Sequence, residues 1–271
     1  MNFLSKSKKL HESYSKKFWR GAFNDSHEDT KRHHEMLKSV NPFIIASNCS
    51  TVLTVSDNLC REAAYIKKLV SCHAIASDLK IGQDMQTAVD EGYVDKVISA
   101  DIEKLPFDTN SIDLVFAKEA FHHWPRPMLG LYEMLRVAKK CVVLIEPSDN
   151  PVASSETNLG INYRDTYENV GNYKYQVSIR EIMKSAWSLY LPAVAFSGFN
   201  DPYKKPYSFD DWLVKKRELD RRGRNGARKD NLLAFAIFKT IDDISLKPLE
   251  ESKEISLKYR PLNPYMIEDK L

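Results

Sequence analysis

Between Thr51 and Pro147, five short runs rich in β-branched residues alternate with stretches of helical periodicity. Such alternation is typical of successive βαβ units, which place their strands in one parallel sheet. The five runs are residues 51–55, 72–78, 94–101, 112–117 and 141–146. A doubly wound sheet binds its ligands outside the carboxyl ends of its strands. The residues that directly follow these runs are therefore the candidates for function.

The length and net charge of the chain limit its domain organisation and its partners. The chain has 271 residues, of which 40 are basic and 37 acidic, giving a formal net charge of +3. This length suits one large α/β domain with appendages. So small a net charge gives no general reason to expect a nucleic-acid partner. No apolar run reaches the roughly 18 residues that a membrane span needs, and we expect no membrane partner.

The cysteines and the N-terminus predict the compartment. The four cysteines form no CxxC pair, and a disulfide framework is not expected in a chain of this length. The basic N-terminus is not followed by the apolar stretch of a secretory signal. We therefore predict a cytoplasmic protein.

Adjacent histidines on a helix point about 100° apart, so His33 and His34 are poor joint metal ligands, and we predict no metal site.

The chain divides into three parts. We predict a helical N-terminal cap or lid over residues 1–45, a main domain over 46–241 and an extended C-terminal arm over 242–271. Within the main domain, residues 148–190 and 200–230 are predicted insertions that form a lid near the ligand site at the strand ends, because long connections without structure are uncommon in compact domains. The arm is a candidate contact for a homodimer.

Three segments and a following helix resemble a known family. The segments are ADIEKLPF at 100–107, SIDLV at 111–115 and FHHW at 121–124. Together they resemble the class I S-adenosylmethionine-dependent methyltransferases, and more closely the small-molecule type with the pattern D-x-x-x-L-P-F, F-D-x-V and L-H-H. The helix EMLRV at 133–137 is similar to the E-x-x-R-V-L-K helix that follows in that family. The resemblance covers about residues 50–147.

The resemblance implies a fold and a cofactor. The fold would be a Rossmann-like α/β three-layer sandwich, with a seven-stranded, mostly parallel sheet whose last strand is antiparallel. The cofactor would be S-adenosylmethionine. Asp78 would accept hydrogen bonds from the ribose hydroxyls, which suits an ionised carboxylate. Asp101 would contact the adenine amino group, and Ile102 would pack on the adenine face. Without the resemblance, both aspartates are ordinary turn residues at strand ends.

The first turn departs from the family pattern. The family has D-x-G-x-G-x-G there, whereas this chain has TVSDNLC at 54–60 and no glycine between residues 21 and 82. Glycine permits positive φ and lets the backbone approach the ligand. Asp57 and Asn58 tolerate left-handed φ better than other residues do, so they are expected to form the turn. We predict that Ser56, Asp57 and Asn58 contact the cofactor, with Asp57 as partner of its ammonium group.

The residues after the fourth run are the catalytic candidates. Methyl transfer from a sulfonium is an in-line displacement, in which the protein aligns the acceptor and takes the proton of an acceptor hydroxyl. His122 and His123 suit a general base because histidine has an unperturbed pKa of roughly 6.5. The alternative is that they pack against or cap the next helix. Glu119 is the third catalytic candidate. Glu146 is a further candidate for the base or for a substrate contact. Lys118 is a predicted cofactor contact.

The sequence therefore predicts a methyltransferase that acts on a small hydroxylated metabolite, for instance a sugar or a nucleotide-linked sugar. Tyrosines between residues 163 and 175 are candidates for a wall of the acceptor site, since tyrosine offers a flat apolar face and a hydroxyl. The arginine cluster at 221–229 is either an anion site of the acceptor or a solvated loop. The alternative function is a methyltransferase-like binding or scaffold protein without catalysis. The glycine-free turn is the feature that favours this alternative.

Overall fold

One mixed sheet of eight strands organises the molecule. The computed structural model describes residues 28–149, 173–202, 208–224 and 230–263. The strands are β1 (Thr51–Val55), β2 (His73–Asp78), β3 (Lys96–Ser99), β4 (Ile112–Lys118), β5 (Ala138–Pro147), β6 (Ala193–Phe199), β7 (Leu232–Phe238) and β8 (Ser256–Tyr259). Their order across the sheet is β3-β2-β1-β4-β5-β7-β6-β8. The first five are parallel, whereas β7 pairs antiparallel with both β5 and β6.

Helices cover both faces of this sheet. They are α1 (Glu28–Lys38), α2 (Asn41–Ala46), α3 (Arg61–Val70), α4 (Gln83–Asp90), α5 (Pro127–Val137), α6 (Ile179–Ser188), α7 (Phe209–Arg224) and α8 (Lys247–Glu250). A single 3₁₀ turn at Phe121–His123 follows β4. Within the four ranges given above, no helix combines the length and the apolar character that crossing a bilayer requires.

The central strands are buried on both faces because their side chains alternate between two apolar cores. Leu53 of β1 packs in one core and Val52 in the other. Helix α3 joins the core of Val52 through Ile66, and helix α5 joins the core of Leu53 through Leu131. The two layers of helices hold the carboxyl ends of β1, β2 and β4 at one edge, where ligands of such sheets bind.

The sheet has eight strands, not the seven that the resemblance implied. The additional strand is β8, which lies in the predicted C-terminal arm and pairs antiparallel with β6. Part of the arm therefore folds onto the domain. Leu249 of α8 is buried, and Leu257 packs against the same core. Strand β8 was not predicted because it is only four residues long and follows a charged stretch. The predicted homodimer contact of the arm stays a prediction.

The N-terminal cap is helical where the structure describes it. Residues 28–45 form α1 and most of α2, and α1 packs against α3 and α7. Residues 1–27 lie outside the described ranges. So do residues 150–172 of the first predicted insertion and the arginine-cluster side chains at 222–229.

Candidate active site

The two acidic strand ends lie at the same edge of the sheet. In the pairing of β2 with β3, Asp78 is opposite Ser99, and the Ala100 N–H donates to the Asp78 carbonyl oxygen over 2.9 Å. Asp101 follows directly, and the side chains of Asp78 and Ile102 are buried. The Asp78 carboxylate is held by the N–H of the next residue at 2.6 Å. The positions predicted to contact adenosine are thus neighbours, and their contact with the cofactor stays a prediction.

The glycine-free turn still adopts left-handed backbone conformations. Ser56 has φ of +56° and Cys60 has φ of +54°, and these are the first and third glycine positions of the family pattern. The expectation that Asp57 and Asn58 would take this conformation was wrong, since neither has positive φ. Each left-handed non-glycine residue costs roughly 1 kcal/mol. The Ser56 hydroxyl accepts a hydrogen bond of 3.0 Å from the Trp124 indole.

The buried Asp57 carboxylate caps helix α3. It accepts hydrogen bonds from the Thr54 hydroxyl at 2.8 Å and from the backbone N–H groups of Arg61 and Ala63 at 2.9 and 3.0 Å. A carboxylate at this end is favoured by the helix dipole. Burial and the adjacent Glu62 carboxylate raise the pKa of Asp57. Because three donors already bind it, the predicted contact of this side chain with the cofactor ammonium loses its support.

Lys118, at the end of β4, lies in a buried network of charges. Its ammonium is 2.7 Å from His33 Nδ1, 2.9 Å from Glu119 Oε2 and 3.6 Å from Glu62 Oε1. These partners belong to α1, to the loop after β4 and to α3. Burial and the Lys118 ammonium lower the pKa of His33 well below its usual value of 6.5. The imidazole is therefore neutral and accepts the hydrogen bond from Lys118.

Helix α1 is fixed across this edge by a second pair of charges. The guanidinium of Arg32 donates from Nε to both carboxylate oxygens of Asp201, at 3.1 and 3.2 Å. Asp201 has no exposed surface and also accepts from the Trp212 indole at 2.8 Å. A forked guanidinium–carboxylate contact of this kind fixes orientation as well as charge. Two half-buried groups on α1, His33 and Arg32, thus hold the helix over the strand ends.

The neutral state of His33 makes stability depend on pH. Because its folded pKa lies below its unfolded pKa, the unfolded chain binds more protons as the pH falls below about 6.5, and stability is lost there. We expect the native protein to lose about 1 kcal/mol more unfolding free energy between pH 7 and pH 5.5 than His33→Gln does. Urea titrations at both pH values measure this difference. The control is His73→Gln, which removes an exposed histidine; an equal change in both variants contradicts the assignment.

His122 forms a buried pair with Glu146. The distance from His122 Nδ1 to Glu146 Oε2 is 2.9 Å, and the Glu146 side chain has no exposed surface. The other carboxylate oxygen accepts the N–H groups of Ala120 and Phe121 at 2.8 and 2.9 Å. An ionised carboxylate only accepts hydrogen bonds, so Nδ1 carries a proton and Nε2 of a neutral His122 is the basic atom. One carboxylate thus positions both the 3₁₀ turn and the imidazole.

The other two catalytic candidates lie beside this pair. His123 is half-buried, and its ring centroid is 4.2 Å from that of His122. Glu119 has φ of +47°, and its N–H donates to the Ile145 carbonyl at 2.7 Å. Its carboxylate binds Lys118. The structure therefore brings the three predicted residues to the same strand end, and gives His122 the buried carboxylate partner that a general base requires.

Comparisons with known proteins indicate a methyltransferase domain. Residues 58–145 match the sequence profile of a family described as a methyltransferase domain. The chain therefore carries a methyltransferase domain over these residues. The match begins inside the glycine-free turn, where the sequence departs from the family pattern. No curated protein matches the chain.

Two solved structures share the fold of this methyltransferase. The YcgJ protein of Bacillus subtilis is 16% identical, with a TM-score of 0.53, and the alignment covers 76% of this chain and 99% of that one. The magnesium protoporphyrin IX methyltransferase (ChlM) of Synechocystis PCC 6803, with bound S-adenosylmethionine, is 10% identical, also with a TM-score of 0.53. That alignment covers 86% of this chain and 97% of that one.

The residues of the methyltransferase fit its cofactor, S-adenosylmethionine. Carboxylates at Asp78 and Asp101 suit hydroxyl and amino donors of a nucleoside. The left-handed backbone at Ser56 and Cys60 is the conformation that glycine permits in this turn. The Asp57 side chain is directed into the start of α3, as its contacts show.

Sequence reasoning missed His33 as a residue of the methyltransferase site, although the spacing of apolar residues on its helix indicated its position. The signal for His33 is that Met36 and Leu37, which follow it by three and four residues, are buried. Residues at these spacings share a helix face, so His33 belongs with the core side. The partnership of Arg32 with Asp201 had no such signal, because 169 residues separate them.

Proposed function

We propose that this methyltransferase methylates a protic atom, such as a hydroxyl oxygen, of a small polar metabolite, with His122 as general base. The observation that carries the proposal is the buried contact of 2.9 Å between His122 Nδ1 and Glu146. S-adenosylmethionine supplies the electrophilic methyl group when it is bound. Asp78 and Asp101 would hold its nucleoside, and Ile102 would pack against the base.

The roles of the pair follow from its protonation. His122 would accept the acceptor proton at Nε2, because Nδ1 already carries the proton shared with Glu146. Glu146 would stay ionised and stabilise the imidazolium as it forms, while keeping the ring in one orientation. Glu146 is therefore a positioning residue. Lys118 and Glu119, at the same strand end, would keep the edge polar through their ion pair.

A cavity beside the candidate base supports a polar acceptor. It has a volume of about 630 Å³ and lies beside α6, with Tyr175, Arg180, Glu181 and Lys184 among its lining residues. This volume is in the range of sites for small ligands. The Tyr175 ring is 5.5 Å from that of Phe121, which opens the 3₁₀ turn of His122. Burial and the Glu181 carboxylate raise the pKa of Tyr175 to about 12, so its hydroxyl is neutral. Charges of both signs and aromatic rings suit a hydroxylated or zwitterionic metabolite, for instance a sugar derivative.

The experiment is a transfer assay with methyl-tritiated S-adenosylmethionine. The purified protein is incubated with panels of sugars, sugar phosphates, nucleotide-linked sugars and hydroxylated amines, and label in the small-molecule fraction is counted. We expect label to appear in at least one panel and to depend on His122. Label that enters only added protein or nucleic acid contradicts the proposed acceptor class. Binding of the cofactor without transfer to any panel favours the non-catalytic alternative.

A further inference from the structure

A basic groove runs between α1 and α3, on the side of α3 that faces away from the sheet. Its volume is about 1230 Å³, which exceeds the roughly 300–1000 Å³ of sites that hold one small ligand. The described residues that line it include five cations and one carboxylate: Lys31, Lys38, Arg61, Lys67, Lys68 and Glu35. This lining carries a formal charge of +4, although the whole chain carries only +3. Among the described lining residues, cations therefore outnumber carboxylates five to one.

Each of the two helices lines the groove with a stripe of side chains that has a cation at both ends, and the spacing of the cations is the same on both helices. On α1, Lys31 and Lys38 are seven residues apart, and on α3 the same spacing separates Arg61 from Lys68. Seven residues span about 10 Å of helix, so each stripe has a cation near either end. Aromatic rings lie between the cations. The rings of His34 and Tyr65 have centroids 5.6 Å apart and are tilted by 45°.

A third aromatic ring closes one end of the groove. Phe209, at the start of α7, lies with its ring centroid 5.7 Å from the Lys31 ammonium and stacks on Trp212. Flat faces next to cations are the combination on which single-stranded nucleic acids bind, with bases on the rings and phosphates on the cations. An acidic peptide would use the cations and leave the rings unused.

The guanidinium of Arg61 is an independent observation that points to an anion site. Its side chain is only 7% exposed, and Nε is buried with no hydrogen-bond partner in the part of the chain that the structure describes. A buried donor without an acceptor is costly. The Asp29 carboxylate lies 3.4 Å from another guanidinium nitrogen, at the edge of hydrogen-bond distance. A phosphate bound in the groove would place a negative charge beside this guanidinium.

We propose that this groove binds a short single-stranded segment of nucleic acid, with phosphates near Lys31, Arg61 and Lys68 and bases stacked on Tyr65 and Phe209. The other two cations have neighbours already, since Lys67 donates to Asp95 at 2.9 Å and Lys38 contacts Glu35. The near-neutral total charge predicted no such partner, because a sum over the chain hides a local concentration. The inference goes beyond the proposed reaction and does not depend on it.

Fluorescence anisotropy of labelled oligouridylate and oligoadenylate 12-mers with the full chain tests the proposal. We expect micromolar binding at 50 mM KCl. Three phosphate contacts predict a slope of about −2 in log K against log salt, which weakens binding about 20-fold at 200 mM KCl. Polyglutamate of matched charge should compete at least tenfold less well, since it cannot stack. Equal competition by polyglutamate, or no binding at 50 mM KCl, overturns the proposal.

Matched variants locate the site. Lys31→Glu with Lys68→Glu should weaken binding at least tenfold. Lys253→Glu with Lys258→Glu makes the same change of net charge at exposed positions on the far edge of the sheet, and should weaken binding less than threefold. Phe209→Leu should weaken binding at least fivefold by removing one stacking face. Equal effects of the two lysine pairs, or no effect of Phe209→Leu, contradict the assignment. Circular dichroism and urea titration confirm that each variant is folded.

Discussion

Replacing His122 with glutamine is expected to lower kcat by about 10²–10⁴-fold, the range that a positioned general base contributes. Glutamine is close in size and can still donate to Glu146, so the 3₁₀ turn at Phe121–His123 should persist. The affinity for S-adenosylhomocysteine should therefore change less than about threefold. The measurement is the rate of label transfer to the acceptor found in the transfer assay, combined with calorimetric titration of S-adenosylhomocysteine.

His123→Gln is the matched control for this prediction. It changes the adjacent imidazole and leaves the contact between His122 and Glu146 in place. We expect a loss in kcat of less than about fivefold. Glu146→Gln should lower kcat and move the acid limb of the pH–rate profile to lower pH, because the carboxylate favours the protonated imidazole. A structural role alone would not move that limb. Equal losses for His122 and His123, or an unchanged profile, would count against the assignment of the base.

Replacing Asp78 with alanine should weaken S-adenosylhomocysteine binding by about 10²-fold or more. Hydrogen bonds to a charged group contribute roughly 1.5–3 kcal/mol each, and the ribose would donate two of them. Asp78→Asn separates binding from folding, because an amide oxygen can still accept from the Leu79 N–H and yet carries no charge. Isothermal titration calorimetry of each variant gives the affinity.

The control for Asp78 is Asp90→Ala, an exposed carboxylate at the end of α4. It makes the same change of net charge away from the strand ends and should leave the affinity within about twofold of the native value. If the folded Asp78→Ala variant binds S-adenosylhomocysteine with native affinity, the proposed contact between Asp78 and the ribose is wrong. The same loss in the Asp90 variant would attribute the effect to long-range charge.

The parallel half of the sheet was predictable because each of its strands falls in a short run rich in β-branched residues and bounded by turns. Strand ends are local features, so Asp78 and Asp101 could be placed at one edge from their positions after two successive runs. Strand β8 was not predictable in this way, since its burial depends on pairing with β6. Local sequence indicates elements and their ends more reliably than it indicates short strands at an edge.

The conformation of the first turn shows where local preference fails. Asp57 and Asn58 have the side chains that tolerate left-handed φ, yet Ser56 and Cys60 adopt it. The reason is the helix cap, because the Asp57 carboxylate is held by the start of α3. Preference for a left-handed conformation is worth about 1 kcal/mol and is outweighed by a buried carboxylate with three donors.

The polar partnerships of the site were beyond local reasoning. Lys118 and His33 are 85 residues apart, and His122 and Glu146 are 24 apart. Each side chain alone had several plausible roles, and only the fold decides which groups meet. The resemblance to the methyltransferases predicted which strand ends matter, while the pairing of a base with its carboxylate needed the three-dimensional structure.

The central claim is that a turn without glycine still forms a working cofactor site at this edge of the sheet. Titration of the native chain with S-adenosylhomocysteine, followed by thermal unfolding, tests it most directly, because a ligand that binds only the folded state stabilises it by mass action. The account predicts saturable stabilisation of about 3 kcal/mol at one hundred times the dissociation constant, and its loss in Asp78→Ala. No stabilisation at millimolar ligand would contradict it.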